Sequence, residues 1–321
     1  MNPLRSRLKI RHVHVVLAIA NMGNLLRAAQ ALNITQPAIS KALAEVEEVV
    51  GERLFDRTPF GTRPTPSGEA LIRHGRNLLS DVDRIHDALE AIRRGDAGTL
   101  RVGVFSLIAE WHPITTAITD LLVSTRGLSL IFEDGNMEDL VPKLDAGTLD
   151  VVVGRYPYAT QQQHHTVRGL GTDRVVPVVG IHHPLLESDR PLTLESLVRF
   201  TWILPPSRNI VRMQLEMEIA VAKLTLNEVP LTSLSMPLNI RLVQDTDFIM
   251  LMPHCVAKEL ESQRGIRILP YELPLTIGPL MAMWRSERIV DRLRDAFVDR
   301  LGALALGSED SLTPDGHTEP Q

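Results

Sequence analysis

The stretch that decides the fold of the N-terminal region runs from Arg27 to Arg57 and reads RAAQALNITQPAISKALAEVEEVVGERLFDR. In its middle, Thr35 is placed to cap a helix whose first turn holds Gln36 and Pro37, where the missing proline N–H costs nothing. Apolar residues then recur with helical spacing at Ile39, Leu43, Val46 and Val50. Gly51 follows as a C-terminal stop. The pattern predicts one capped helix with a polar outer face.

Two further helices precede this one. Val13, Val16, Leu17 and Ala20 form the apolar stripe of the first, which ends at Met22-Gly23. Asn24 is placed to cap the second, and Asn33-Ile34 makes a tight turn before Thr35. Two short helices joined by such a turn are typical of a helix-turn-helix.

A wing and a long helix follow. The segment from Arg53 to Gly68 predicts a strand-turn-strand with Gly61 at its tip and Arg57 and Arg63 on its arms. Thr65 then caps a helix that starts at Pro66 and breaks at residues 93–98. Its apolar residues alternate in steps of four and three, which is the seam period of a coiled coil. The series predicts dimerisation through Leu71, Leu78, Val82, Ile85, Leu89 and Ile92, with Gly75 continuing it.

From Thr99 onward strand-like runs alternate with helical stretches, which predicts parallel α/β sheets in two subdomains. The expected strands are 100–105, 128–132, 150–153, 175–181, 201–204, 248–252, 266–269 and 280–284. The expected helices lie near 110–124, 137–146, 209–222, 233–243, 254–262 and 288–301. The expected domains are 1–65, 66–95 and 96–306, with one lobe at about 99–160 and 270–302 and the other at about 168–266. A disordered tail is expected over 307–321.

Charge divides the chain unevenly. Residues 1–95 hold 14 Lys and Arg against 10 Asp and Glu, and residues 96–321 hold 20 against 29, which makes the overall net charge −5. A basic head on an acidic body favours a polyanionic partner for the head. One cysteine, Cys255, excludes an internal disulfide, and no apolar run has the length of a membrane span. We expect a cytoplasmic protein without a membrane partner.

The motifs Ala28-Ala29, Gln36-Pro37-Ala38-Ile39-Ser40 and Leu54-Phe55-x-Arg57, followed by TPSGEAL, resemble the LysR-type transcriptional regulator family. The resemblance covers the whole chain, with one departure at Pro64, where leucine is usual. It implies an α+β multidomain protein: a winged helix-turn-helix, a dimerising linker helix and a two-lobed α/β effector domain like a periplasmic binding protein. It also implies two crossover segments between the lobes and assembly into a dimer and then a tetramer. The segments 10–47 and 202–206 are similar to regulators of aromatic-acid catabolism and sugar uptake.

The predicted DNA-binding residues divide by the part of the duplex that they reach. Gln36 and Ser40 face outward at the start of the recognition helix, where side chains reach base edges. The cations are assigned to phosphates, and Thr35 and Pro37 lie at the open helix N-terminus. The full set is Arg27, Thr35, Gln36, Pro37, Ser40, Lys41, Arg57 and Arg63. The partner is double-stranded promoter DNA, and RNA polymerase is a further candidate partner.

The predicted effector site follows from the ends of strands. In open α/β sheets ligands lie beyond the carboxyl ends of strands, beside helix N-termini. Residues at such points, or beside another strand, are Ser106, Gly135, Asn136, Pro205, Ser207, Arg208, Asp247 and Phe248. Arg208 is able to pair with a carboxylate. We therefore expect a small organic acid or a sugar as the effector.

Other functions are less well supported by the sequence. The pairs His164-His165 and His182-His183 are expected to be loop histidines without a metal, because adjacent side chains on an extended chain point apart. No catalytic motif is present, so neither an enzyme nor a cofactor is predicted. Two alternatives stay open: a ligand-binding protein or enzyme on the same two-lobed fold, and an architectural DNA-binding protein.

Overall fold

The structure is a computed structural model that describes residues 3–58, 61–155, 165–188, 190–275, 277–286 and 291–307. The described chain forms two compact units. The first contains the residues up to Arg101 together with Gly127–Ser129 and Val141–Asp150. The second contains Val102–Arg126, Leu130–Leu140 and the described residues from Val151 onward.

The first unit begins with the predicted helix-turn-helix, wing and long helix. Its elements are α1 (Pro3–Arg7), α2 (Ile10–Met22), α3 (Leu25–Ala31), α4 (Gln36–Val50), β1 (Phe55–Thr58), β2 (Gly61–Pro64) and α5 (Pro66–Arg94). The caps are those that the sequence predicts: Asn24 for α3, Thr35 for α4 and Thr65 for α5, each accepting from a backbone N–H of the first turn. The left-handed glycines Gly23, Gly51 and Gly95 end α2, α4 and α5.

One apolar core holds these elements together. Helix α2 contributes Val13, Val16 and Ile19, and α4 contributes Ile39 and Val46, all of them fully buried. Ala28 and Ala29 of α3 are buried as well. Their small side chains allow α3 to pack closely against α2 and α4. This packing fixes the direction in which the outer face of α4 points.

Helix α5 has two parts that differ in exposure. Near its start, Ile72 and Gly75 are buried and Leu71 packs against the N-terminal core, so Leu71 serves this unit's own packing. Further along, the predicted seam residues are exposed: Leu78, Val82, Ile85, Leu89 and Ile92. The exposed seam therefore begins one heptad later than the sequence predicts.

A five-stranded sheet in the order β4-β3-β5-β12-β6 forms the first lobe. Its strands are β3 (Gly98–Phe105), β4 (Leu128–Gly135), β5 (Val151–Arg155), β6 (His165–Gly171) and β12 (Leu280–Arg285). Strands β3 and β5 are parallel, whereas β12 runs antiparallel to both β5 and β6. The associated helices are α6 (His112–Ser124), α7 (Met137–Asp145) and α12 (Arg292–Gly307).

The second lobe is built on another five-stranded sheet, in the order β11-β7-β10-β8-β9. Its strands are β7 (Val175–Gly180), β8 (Thr201–Leu204), β9 (Glu228–Thr232), β10 (Phe248–Pro253) and β11 (Ile266–Ile268). The three strands β10, β8 and β9 are parallel neighbours, and β7 is antiparallel to β10 and β11. The helices are α8 (Leu194–Leu197), α9 (Ile210–Val221), α10 (Met236–Asp245) and α11 (His254–Glu261).

Three details differ from the sequence prediction. Both sheets are mixed rather than parallel, because β7 and β12 run against their neighbours. Strand β6 was not predicted, and it pairs with β12 in the first sheet, so the second lobe begins after Gly171 and not near residue 168. Strand β9 and the short helix α8 were also missed. The predicted tail from 308 onward and His164 lie outside the described residues.

Candidate DNA-binding face and effector site

The outer face of α4 presents the predicted base-reading residues. Gln36, Pro37 and Lys41 are exposed and Ser40 is half-buried, while Ile39 beside them is fully buried. The Thr35 hydroxyl accepts a hydrogen bond from the Ala38 N–H at 3.4 Å. Because the buried stripe holds the helix in place, the polar residues project from a rigid element rather than from a loop.

Cations flank this face on two sides. Arg27 is exposed in the first turn of α3, where Asn24 Oδ1 accepts from Leu26 N at 2.7 Å. Arg63 is exposed on β2, and the backbone of Arg57 pairs with Thr62 across the wing. The side chain of Arg57 lies outside the described residues. The described cations therefore occupy positions suited to phosphate contacts.

A backbone hydrogen bond ties the wing to the helix-turn-helix. Thr62 N donates to the carbonyl oxygen of Gly23 at 2.8 Å. Gly61 has φ of 129°, and a Cβ there would lie 2.6 Å from the Gly23 oxygen, so this approach requires glycine. Pro64 pairs with Phe55 at the far end of the wing, which shows that the departure from the usual leucine fits the strand.

The sequence analysis did not predict that arginines of the N-terminal segment pair with acidic residues of α4. Arg7 pairs with Glu48 at 3.6 Å, and Arg11 pairs with Glu45 at 3.5 Å. Both acids lie on the second half of α4, where they would repel DNA. The basic N-terminus was the signal that could have indicated this partial neutralisation.

Most of the predicted effector residues lie at the carboxyl edges of the two sheets. Because β3 and β5 are parallel, Ser106 after β3 lies at the same edge as Arg155, the last residue of β5. Because β8 and β10 are parallel, the loop from Pro205 to Arg208 lies at the same edge as Cys255, which follows β10. The turn Ser106–Ile108 contacts β10 of the second lobe. The first edge therefore lies against the second lobe.

At the edge of the first lobe, a serine is hydrogen-bonded to an aspartate. Ser106 Oγ donates to Asp134 Oδ2 at 3.0 Å, and both groups are accessible to solvent. Gly135 and Asn136 come directly after Asp134, and the Asn136 carbonyl accepts the first bonds of α7. Asp134 was not predicted, although its place at the end of β4 follows the same rule that selected Ser106. Because Asp134 accepts the only hydroxyl proton of Ser106, the pair offers oxygen acceptors to the hydroxyl group of a ligand.

On the second lobe, an exposed cation stands on a supported loop. Ser207 and Arg208 are exposed. Beneath them, Arg212 Nη1 donates to the Pro205 carbonyl at 3.1 Å, and Asn209 caps α9. Arg208 thus extends from a loop whose backbone is held on both sides.

Two predicted effector residues lie elsewhere. Asp247 and Phe248 are at the amino end of β10, where Phe248 is level with Thr201 at the start of β8. Since Pro205 follows the other end of β8, these residues occupy the opposite edge of the sheet. The Asp247 carbonyl is instead within 3.2 Å of Nε2 of the buried His183. Asp247 and Phe248 therefore lie apart from the other predicted effector residues, because they lie at the start of β10 whereas the others lie at or after the carboxyl ends of strands.

A buried cluster joins the two crossover segments. Arg155 donates to the Gly278 carbonyl at 2.8 Å and to Asp173 Oδ2 at 2.7 Å, and the Asp173 side chain is fully buried. Cys255 N and Cys255 Sγ each donate to Asp173 at 3.2 Å. Burial, reinforced by the charge of Asp173, raises the pKa of the Cys255 thiol well above its usual range. Asp173 lies between β6 and β7 and Gly278 between β11 and β12, so this cluster is the hinge.

The lobes meet again at the start of α6. His112 N donates to the two carboxylate oxygens of Glu259 on α11, at 3.0 and 2.9 Å. Arg264 pairs nearby with Glu110 at 3.2 Å. Burial raises the pKa of the Glu259 carboxyl, and the bond from the His112 backbone opposes that shift. The carboxylate therefore occupies the N-terminus of a helix of the other lobe.

Within the described ranges, no three His, Cys, Asp or Glu side chains form a group able to hold a metal ion. The helices of those ranges also include none with the length and apolar character that crossing a membrane requires.

Comparisons with known proteins agree with this architecture. Residues 10–69 match the family model of the bacterial regulatory helix-turn-helix protein of the lysR family, and residues 93–305 match the LysR substrate binding domain. The chain is 27% identical to the HTH-type transcriptional regulator GbpR of Azospirillum brasilense, over 89% of this chain and 83% of that protein. It is 26% identical to the regulator PcaQ of Agrobacterium fabrum, over 88% and 90%.

A solved structure shows the same fold along most of the chain. The crystal structure of full-length CbnR complexed with its target DNA aligns with a TM-score of 0.59 at 19% identity, covering 92% of this chain and 99% of that one. The two matching family models and the relatives are those of transcription regulators and not of an enzyme on a related fold. The chain belongs to the LysR family of DNA-binding transcription regulators with an effector-binding domain.

Proposed function

We propose that this regulator reads promoter DNA with Gln36 and Ser40, and that a small hydroxy acid held between the lobes controls it. The observation that carries the DNA assignment is the outer face of α4, where polar side chains project beside a fully buried apolar stripe. Glutamine is suited to bidentate bonding with adenine, and serine accepts several bases. CbnR, whose fold is similar, has been crystallised with its target DNA.

The test compares two kinds of variant on DNA fragments enriched by the wild-type protein from a random pool. Gln36→Ala and Ser40→Ala are expected to weaken binding to the enriched sequence by about 1–3 kcal/mol each, with non-specific binding largely retained. Lys41→Ala is the control, because loss of a phosphate contact weakens binding to all sequences and lowers the salt slope by about 1. Unchanged discrimination in both α4 variants contradicts the assignment.

The effector proposal rests on the two sheet edges. On one edge the Ser106–Asp134 pair suits a hydroxyl group, and Asn136 adds an amide. On the other, Arg208 is an exposed cation beside Ser207. A carboxylate that pairs with Arg208 while its hydroxyl reaches Ser106 satisfies both edges. A neutral sugar would use the first edge only.

Self-association is proposed to use two apolar surfaces. The first is the exposed face of α5 from Leu78 to Ile92. The second is one face of α9, formed by Ile210, Met213, Met217 and Val221, each at least half exposed. Large apolar stripes of this kind on soluble proteins mark interaction sites. Two independent surfaces would assemble dimers into a tetramer.

A further inference from the structure

We infer that strand β5 couples the hinge to linker helix α5, with Arg155 and Asp150 as the positioning residues at its two ends. The strand is five residues long and lies in the middle of the first sheet. One end carries the guanidinium that holds both crossover segments. The residue before its other end carries a carboxylate that holds α5. This inference does not depend on which effector is bound.

At the hinge end, one side chain serves both crossovers. Arg155 is largely buried, and its two terminal nitrogens bond to Asp173 in the first crossover and to Gly278 in the second. The Asp173 carboxylate also accepts hydrogen bonds from the backbone N–H groups of Arg174 and Cys255. Any change in the path of the crossovers therefore acts on the carboxyl end of β5.

At the other end, Asp150 holds the linker helix. Arg84 of α5 donates to Asp150 Oδ1 at 2.5 Å, and Arg101 N donates to Oδ2 at 2.6 Å. Ser80 and Arg84 also donate to the Gly147 carbonyl, at 2.5 and 3.0 Å, and Asp87 pairs with Arg101. Ser80 and Asp150 are both buried. Charge-assisted bonds shielded from water in this way are stronger and more directional than surface pairs.

Strand β5, which connects these two sets of bonds, is tightly packed. Val151, Val152 and Val153 are fully buried, and the strand is paired with β3 on one side and β12 on the other. At Gly154 a Cβ would press against Met137 Sδ and lie 3.1 Å from Phe105 Cβ, so a methyl group there requires neighbouring side chains to shift. A displacement at Arg155 is therefore passed to Asp150 rather than absorbed.

The α5 residues that make these bonds lie on the side of the helix opposite its exposed apolar seam. Ser80, Arg84 and Asp87 recur with helical spacing and share one face. At 3.6 residues per turn, Leu78, Val82, Ile85, Leu89 and Ile92 lie on the other side of the helix. A movement of Asp150 therefore acts on the helix that carries the proposed dimer seam.

Hydrogen exchange of the full-length protein tests the coupling without DNA or effector. Arg155→Gln removes the bonds to Asp173 and Gly278, at the end of β5 away from α5, and Asp150→Asn removes the charge that holds α5. In each variant, we expect the backbone amides of residues 80–94 to exchange at least about threefold faster than in the wild type, because local opening sets these rates. The double variant is expected to exchange no faster in α5 than the more affected single variant.

The matched control is Arg174→Gln, which removes an exposed arginine beside Asp173 that pairs with Glu272. It is expected to leave exchange in α5 unchanged. If Arg155→Gln does not fold, Arg155→Lys keeps the charge but loses the two-pronged geometry, and the same acceleration is expected. The inference is overturned if a folded Arg155 variant exchanges faster only near residues 165–175 while α5 is unaffected. Additive effects in the double variant overturn it as well.

Discussion

Cys255 is a thiol that its surroundings keep protonated. It is 2% exposed, it donates to the buried carboxylate of Asp173, and burial raises its pKa. Since the thiolate is the reactive form, we expect a disulfide reagent such as dithionitrobenzoate to modify the native protein at least about 100-fold more slowly than the urea-unfolded chain. Absorbance of the released thiolate measures both rates. Modification of the native protein at the unfolded rate would show that the hinge is open in solution.

Glu259 gives the contact between the lobes a dependence on pH. Burial raises the pKa of its carboxyl in the folded state, so the folded chain binds a proton more tightly than the unfolded chain does. The stability from this group is thus fully present below its ordinary pKa and is lost as pH rises through the raised value. Glu259→Gln keeps an acceptor for His112 N without the charge.

We therefore expect the melting temperature of Glu259→Gln to exceed that of the wild type at pH 7, with the difference shrinking as pH falls toward 4. Calorimetry across this range gives the measurement, and Glu261→Gln on the same helix is the control for loss of charge. A difference that grows on acidification contradicts the assigned direction of the pKa shift.

Helix α5 carries the proposed dimer seam. Leu78→Asp combined with Ile85→Asp places two charges in an apolar interface, at a cost of several kcal/mol. We expect sedimentation velocity of the full-length protein to show loss of one level of association. Arg73→Asp is the control, because it is exposed on the opposite side of α5 and changes the net charge by the same amount.

A substitution on α9 distinguishes the contributions of the two proposed surfaces. If the seam variant still associates, Met217→Glu added to it is expected to leave monomers, because the two surfaces act independently. An unchanged mass for the seam variant, with Met217→Glu alone giving monomers, would place the dimer contact on α9 and not on α5.

Elements with strong local signals were predictable. Caps at Asn24, Thr35 and Thr65 located helix starts correctly, because a side chain that bonds its own first turn needs no tertiary partner. Strand β9 was missed because Pro230 interrupts its pattern, and proline is tolerated there at the edge of a sheet. Strand direction was not readable either, since a buried run has the same composition whichever way it points.

Effector binding and DNA binding are expected to be separable functions of this protein. Arg208→Ala is predicted to weaken binding of a carboxylate effector by about 1.5–3 kcal/mol, while binding to the enriched DNA is unchanged. A thermal-shift screen of hydroxy acids and sugars identifies the effector, and isothermal titration measures the loss. Arg199→Ala, which removes another exposed arginine of the same lobe, is the control.

Two results of that titration have different meanings. Full affinity for an acid in Arg208→Ala would show that the cation faces solvent and that the proposed charge preference is wrong. A sugar that binds equally well to both proteins would assign recognition to Ser106 and Asp134 alone. Sequence reasoning could place Ser106 and Arg208 at strand ends, but the pairing of Ser106 with Asp134 depends on which strands are neighbours.

The position of β12 also governs the order in which the chain is able to fold during synthesis. Strand β12 lies between β5 and β6, yet it leaves the ribosome more than a hundred residues after either of them. Until then, the facing edges of both strands lack their partner. The second lobe, from Val175 to Ile268, is one continuous stretch that depends on no later strand. Once the chain up to about residue 275 has emerged from the ribosome, a complete second lobe would lie beside two open strand edges, the kind of intermediate that chaperones capture.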